Sequence, residues 1–386
     1  MSQQRAQTPA PGAGDLLRAY RPGDVFLSSP EGVLHGTGSL AVLNSLDAVP
    51  AALASAGKDA VAVGAVPFDA SRPAHLIVPE SVSTAPPARD GGTGPRWRPL
   101  RGEWTLTPVP APEEHTAAVE RTLKLMADDD ELRKVVLARC LRLESTEDVD
   151  VAAVLSNLLR RDPGAHVFAT PLPERGTGPR TLIGASPELL VSRRGDAVVS
   201  NPLAGSARRS ADPTKDQRAA VGLLTSDKDR REHAVVVEAV ADALTPYCRE
   251  LSVPDGPELL RTATMWHLST RVTGRLRDAD TPAHVLAAAL HPTPAVCGTP
   301  TGRAFDTIAG IEPFDRGFYT GTVGYTDARG DGVWVVTIRC ADTSGRTLDL
   351  FAGGGIMPES DPAAELAETS AKLRTLLLAL GVDQGA

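Results

Sequence analysis

The chain has 386 residues, 42% of them hydrophobic, and 40 Lys and Arg against 48 Asp and Glu give a formal net charge of −8. A chain of this size buries a sizeable core without disulfide or metal staples. Its charges form no like-signed block, so binding to nucleic acid or to a membrane surface has no electrostatic support, and no apolar stretch reaches the roughly 18 residues that span a bilayer.

Residues 1–14 (MSQQRAQTPAPGAG) are too poor in apolar side chains to order themselves, and they lack the basic start and apolar centre of a secretory signal. The runs VAVGAVPF (61–68), KVVLARCLRL (134–143), HVFAT (166–170), TLIGAS (181–186) and LLVSR (189–193) are rich in β-branched residues and read as strands. Irregular stretches at 84–97 and 174–180 read as a surface loop and a long hairpin connection. Apolar spacing predicts a helix over 113–128 and one or two helices over 215–247. Further strands are expected at TGTVGYT (320–326), VWVVTIRCA (333–341) and TLDLFAGGGI (347–356), before a helix over 363–381 that closes on a glycine. No strand-GxGxxG-helix unit occurs, and strands and helices do not alternate strictly. The pattern favours an α+β architecture of large, mainly antiparallel sheets with helices outside.

Cys140, Cys248, Cys297 and Cys340 are far apart and form no CxxC pair, which suits buried free thiols in a reduced, cytoplasmic protein. Only six lysines occur, Lys58, Lys124, Lys134, Lys215, Lys228 and Lys372. Glu365, Glu368 and Lys372 fall at i, i+3 and i+7, on one face of the C-terminal helix. Glu232 and His233 precede a run of valines in DRREHAVVV. These acids are either a solvated helix edge or a pair converging on a hard cation such as Mg²⁺, which takes one or two protein carboxylates and keeps its other positions for water and substrate. Lys134 opens its strand, where a lysine commonly guards a solvent-exposed edge. Glu188, after Ser186-Pro187, reads by itself as a surface carboxylate. Arg339 follows an apolar run, and an arginine buried there needs an anionic partner. Gly353 to Gly355 permit close backbone approach, present N–H groups to an anion, or form a tight turn.

Taken together, KVVLAR, GASPELLVSR, SNPLAGSARR, SDKDRREH, MWHLSTRVTG, LHPTPAVCGTP, IEPFDRGFYTGTVGY, VWVVTIRCA, LFAGGGI and ELAETSAKL resemble the chorismate-utilising enzyme family. That family includes isochorismate, salicylate, anthranilate and aminodeoxychorismate synthases. The resemblance is strongest over 115–380, and FLSSPEGVLHGTG (26–38) and VAVGAVPFDASRPAHLIVPES (61–81) also resemble the siderophore-type isochorismate synthases. It implies one domain over 15–386 built of two large, mainly antiparallel β-sheets packed together with surrounding helices.

The resemblance also implies a chemistry. A lysine at the start of KVVLAR, here Lys134, activates water in the isochorismate and salicylate branches, where ammonia-using relatives carry another residue. Ala204 occupies the position of the lysine that aminodeoxychorismate synthases use as a nucleophile. Glu188 would be the general acid and His267 an active-site histidine at the leaving side of the ring. This division of labour needs a neutral lysine and a protonated carboxyl, and burial disfavours the charged form of both. Glu232 and Glu368 would hold Mg²⁺, with Glu365 close by. Arg339, Gly353, Gly355 and Lys372 would receive a carboxylate of chorismate, and Gly205, Ser206 and Ala295 would line the pocket. Val296 departs from the leucine expected beside Ala295, a change that could favour salicylate as a side product. A monomer and an isochorismatase as metabolic neighbour complete the expectation.

Overall fold

β-Branched and aromatic runs separated by short connections build ladders, and in the computed structural model, which describes residues 11–87, 95–175 and 178–382, all the ladders are antiparallel. One sheet has ten strands and a second has nine. In the first, Lys134–Ser145 pairs with Thr347–Ile356 along its length, placing Val136 opposite Gly355 and Ala138 opposite Gly353. In the second, Leu189–Arg194 pairs with Gly332–Val336. A third sheet of three strands, Leu203–Arg208, Met265–Ser269 and Glu258–Arg261, is distinct from both and was not separated from them in the sequence.

The large sheets face each other. Ala138, Phe168, Leu182 and Phe351 of the ten-stranded sheet share one core with Ala65, Val323, Val333 and Val335 of the nine-stranded sheet. Helices Val151–Arg161 and Pro362–Leu380 cover the outer face of the first through Leu155, Leu158, Leu373 and Leu376. Helices Val49–Ala56, Asp227–Leu244 and Ala283–Leu290 cover the second through Leu53, Val240 and Leu286. Each such buried Leu or Val contributes roughly 1.5–3 kcal/mol of transfer free energy. Among the described residues, no helix is long and apolar enough to cross a membrane.

Most expected elements occur within a few residues of their predicted bounds, with three informative differences. The run 333–341 is two strands, Gly332–Val336 and Cys340–Ser344, which belong to opposite sheets. The chain crosses between them at residues 337–339, where Arg339 takes the left-handed φ of +51°. Both strands are buried, so the apolar run gives no sign of the crossing. The region 215–247 is two helices, Pro213–Thr225 and Asp227–Leu244, parted at Ser226, whose Oγ accepts a hydrogen bond from Asp229 N and caps the second. Finally, a helix begins at Ala13, inside the stretch expected to stay irregular, of which residues 1–10 lie outside the described residues. The irregular connections at 84–97 and 174–180 fall partly outside them as well, at 88–94 and 176–177.

Candidate active site

Lys134 begins its strand, but it is no edge guard, because strand Gly298–Thr299 pairs outside it and its side chain is fully buried. Its Nζ lies 2.9 Å from Glu232 Oε1 on the helix Asp227–Leu244. Within that contact the buried nitrogen makes no hydrogen bond. Glycine at position 355 is what lets these groups meet. A Cβ there would stand 2.2 Å from Glu232 Oε1 and 2.8 Å from Lys134 Cε. The three glycines therefore form no tight turn, and Gly353 and Gly355 line the cavity with bare backbone. They lie within the strand Thr347–Ile356, stripped of side chains where charged groups cross it.

Glu188 arrives from the opposite sheet, just ahead of strand Leu189–Arg194, and is 3% exposed, so the surface-carboxylate alternative is excluded. Its backbone N–H donates to Ser186 Oγ, and its Oε1 accepts a long 3.4 Å hydrogen bond from Leu203 N–H. Burial raises this carboxyl to about 7, against the Leu203 hydrogen bond and the charges of Lys134, Arg339 and Lys372. Near neutral pH Glu188 is thus a proton donor.

The small sheet supplies the third side. Ser206 sits opposite His267 in its ladder, and Ser206 Oγ donates to Glu368 Oε1 at 2.8 Å. One helical turn on, Lys372 Nζ reaches Glu368 Oε1 at 2.6 Å and the Gly353 carbonyl at 2.8 Å. Arg339 Nη2 lies 3.4 Å from His267 Nε2. A guanidinium only donates, so His267 Nε2 accepts and the ring is neutral with its proton on Nδ1. Burial, then Arg339 and Lys372, hold that imidazole well below its ordinary pKa. Burial also acts to raise Glu368, but Lys372, Ser206 and Lys228 keep it below the usual carboxylate range.

Of the residues to which the resemblance assigns a catalytic, metal-holding or substrate-binding role, all but Lys134 and Glu365 line one cavity of about 60 Å³, and Lys134 borders it through Glu232 and Gly355. A cavity of about 590 Å³ lies elsewhere between the sheets, and its lining contains none of these residues. Size alone would select the larger; the convergence of buried acid, cations and neutral histidine selects the smaller.

Glu365 is buried beside the cavity. Its Oε1 accepts from Lys228 Nζ and Ser360 Oγ at 2.8 and 2.7 Å, while Oε2 is buried without a hydrogen-bond partner. Burial and the neighbouring Glu368 raise its pKa. Among the described residues no group of three or more His, Cys, Asp or Glu forms a metal cage. Glu232 and Glu368 are hard oxygen donors lining the cavity, while Glu365 lies outside that lining with its Oε1 already taken by Lys228 and Ser360. The lining pair suits a cation such as Mg²⁺, which needs only one or two protein carboxylates.

Several contributors were not singled out from sequence. Tyr319 and Phe351 stack with ring centroids 4.9 Å apart and, with Ile338, wall the cavity. Lys228, four residues before Glu232 on the same helix, neutralises Glu365. That spacing was visible, but its target lies 137 residues away. Val296 departs from expectation. Its side chain packs into the core outside the nine-stranded sheet and does not line the cavity; Ala295 does.

Fold and site together, with a buried carboxyl, cations and a neutral histidine around one small cavity, are those of an enzyme. More particularly, the chain belongs to the chorismate binding enzymes, whose family model matches residues 99–381. It is 48% identical to the isochorismate synthase DhbC of Bacillus subtilis (strain 168), over 96% of this chain and 97% of that protein. A crystal structure provisionally assigned as a 2,3-dihydroxybenzoate-specific isochorismate synthase, DhbC from Bacillus anthracis, superposes with a TM-score of 0.90 at 44% identity, covering 95% of this chain and 99% of that one. MenF, the menaquinone-specific isochorismate synthase of Escherichia coli, superposes with a TM-score of 0.80 at 26% identity, covering 95% and 92%.

Proposed function

We propose that the chain is an isochorismate synthase that uses Mg²⁺ to isomerise chorismate by adding water at C2 and losing the C4 hydroxyl, feeding 2,3-dihydroxybenzoate and siderophore synthesis. One observation carries this reading: a buried lysine and a buried, proton-holding Glu188 come from opposite sheets to the same cavity. Identity to the DhbC proteins over nearly the whole chain supports the branch.

In this reading Lys134 takes a proton from the water that attacks C2. The ring double bonds shift, and Glu188 gives its proton to the departing C4 oxygen, so one water enters and one leaves. Each transfer contributes roughly 10²–10⁴-fold. His267, neutral and held by Arg339, can hydrogen-bond near the leaving side without adding charge there. Arg339 and Lys372 attract the carboxylates of the dianionic substrate, and Gly353 and Gly355 leave room for it. Glu232 and Glu368, with Glu365 behind them, are the groups that would hold Mg²⁺. When bound, such an ion would supply positive charge to offset a substrate carboxylate. Ala204 in the cavity wall offers no amine for a covalent route. A monomeric cytoplasmic enzyme whose product passes to an isochorismatase completes the reading; four buried free cysteines support a reducing compartment.

Purified protein given chorismate and Mg²⁺, with and without ammonium, tests this by chromatography and mass. Isochorismate alone, indifferent to ammonium, is expected. Salicylate with pyruvate, or an aminated ring, would overturn it.

A further inference from the structure

His233 follows Glu232 on its helix and is 2% exposed, yet it lines no part of the cavity. Its Nδ1 lies 3.2 Å from the Ala204 carbonyl oxygen, and its Nε2 lies 2.7 Å from Thr270 Oγ1. A carbonyl only accepts, so Nδ1 carries the proton and donates, and Nε2 accepts from the Thr270 hydroxyl. The ring therefore has one tautomer and both of its hydrogen bonds filled.

What it holds is the segment 203–206. The ladder between Leu203–Arg208 and Met265–Ser269 slips between Leu203 and Ser206, so the sheet does not pin the residues in between. Gly205 there adopts φ +78°, a conformation open to glycine at little cost. Leu203 N–H, on one side of this bulge, donates to Glu188 Oε1 at 3.4 Å, and Ser206 Oγ, on the other, donates to Glu368 Oε1 at 2.8 Å. Thr270 closes the loop, its N–H reaching the Pro202 carbonyl at 3.4 Å.

We propose that His233 is a positioning residue: by fixing the Ala204 carbonyl to the helix that carries Glu232, it sets the bulge whose two flanks orient the acid Glu188 and the carboxylate Glu368. This rests on the reaction assigned above. It makes His233 the tie between groups that the chain delivers from the nine-stranded sheet and from two separate helices.

The test compares wild type with His233→Ala, His233→Asn and Thr270→Val, reading kcat, KM for chorismate and the upper limb of the kcat/KM pH profile. Absence of isochorismate from wild type would remove the assigned reaction, whatever the variants do. With wild type active, His233→Ala is expected to lower kcat about tenfold or more while KM stays within about threefold. The upper pH limb should rise by about half a unit, because Glu188 loses the Leu203 N–H that favours its anion. Asparagine places an N–H near the Nδ1 position, so His233→Asn should recover most of the rate and the wild-type limb. A merely structural histidine would lower melting temperature and active fraction but leave the limb in place. A His233→Ala kcat within about twofold of wild type, or an unmoved limb, would overturn the proposal. Should that variant fail to fold, Thr270→Val carries the same prediction in smaller measure, about threefold in kcat with the limb raised, and no change in either would overturn it.

Discussion

Replacing Gly355 by Ala adds one methyl group, and its consequence follows from two distances. The new Cβ would stand 2.2 Å from Glu232 Oε1 and 2.8 Å from Lys134 Cε. Carbon–oxygen contact is comfortable only from about 3.4 Å, so the glutamate must retreat by more than about 1 Å. Position 355 is the penultimate residue of its strand, paired with Val136 and followed by the pair of Ile356 with Val135, and cannot move away without breaking the end of its ladder. The strain falls on the side chains, at roughly 1–3 kcal/mol of stability. A displacement of about 1 Å at a reacting group costs about 10²-fold in rate, equivalent to about 2.7 kcal/mol of barrier. Isochorismate formation by Gly355→Ala should therefore fall about a hundredfold, and half-saturation by Mg²⁺ should rise with it because Glu232 is the group displaced. Steady-state kinetics with a metal titration and a melting curve reads all three effects. Gly353→Ala, whose Cβ meets only the Tyr319 hydroxyl at 3.0 Å and backbone and side-chain atoms beyond 3.1 Å, is the milder control. A Gly355→Ala enzyme within threefold of wild type, with an unchanged metal titration, would refute the role given to that close approach.

The remaining predictions concern charge. Glu188→Gln should abolish isomerisation yet stabilise the protein above neutral pH. The wild-type carboxyl is raised from 4.5 to about 7 in the fold, so between those values the folded chain holds a proton the unfolded chain has lost, and stability falls as pH rises. The gain at pH 8 should approach roughly 3 kcal/mol and vanish near pH 4, and a pH-independent gain in denaturant titrations would contradict the burial argument. In the wild type, the upper limb of kcat/KM should begin near 7 and fall about tenfold per pH unit above it, as Glu188 loses its proton. Lys134→Ala should lose water addition by at least about 10²-fold while chorismate still binds; full turnover would show that another group takes the proton. Chelation should silence the enzyme reversibly, and Glu232→Ala or Glu368→Ala should shift the Mg²⁺ titration to higher concentration; an unchanged titration in both would place the metal elsewhere.

Much of this protein is determined locally. The β-branched runs and the glycine after Leu380 are nearest-neighbour signals, and most strands and helices form close to where they predict. The blocks KVVLAR, GASPELLVSR and ELAETSAKL likewise carry the residue types of the site, because a lysine, an acid and a carboxylate pair are chemistry that side chains possess anywhere. Only the tertiary structure decided which of these groups are buried, and burial is what separates an acid that titrates about 7 from an ordinary surface glutamate. It alone decided that the apolar run at 333–341 crosses from one sheet to the other, setting Arg339 at the turn. It turned Val296 away from the cavity and Ala295 toward it, and it brought Lys228 to a glutamate 137 residues distant. Hydrophobic periodicity records how a residue faces its own element. Desolvation and charge pairing depend on what other elements deliver to the same point, and those elements are remote along the chain.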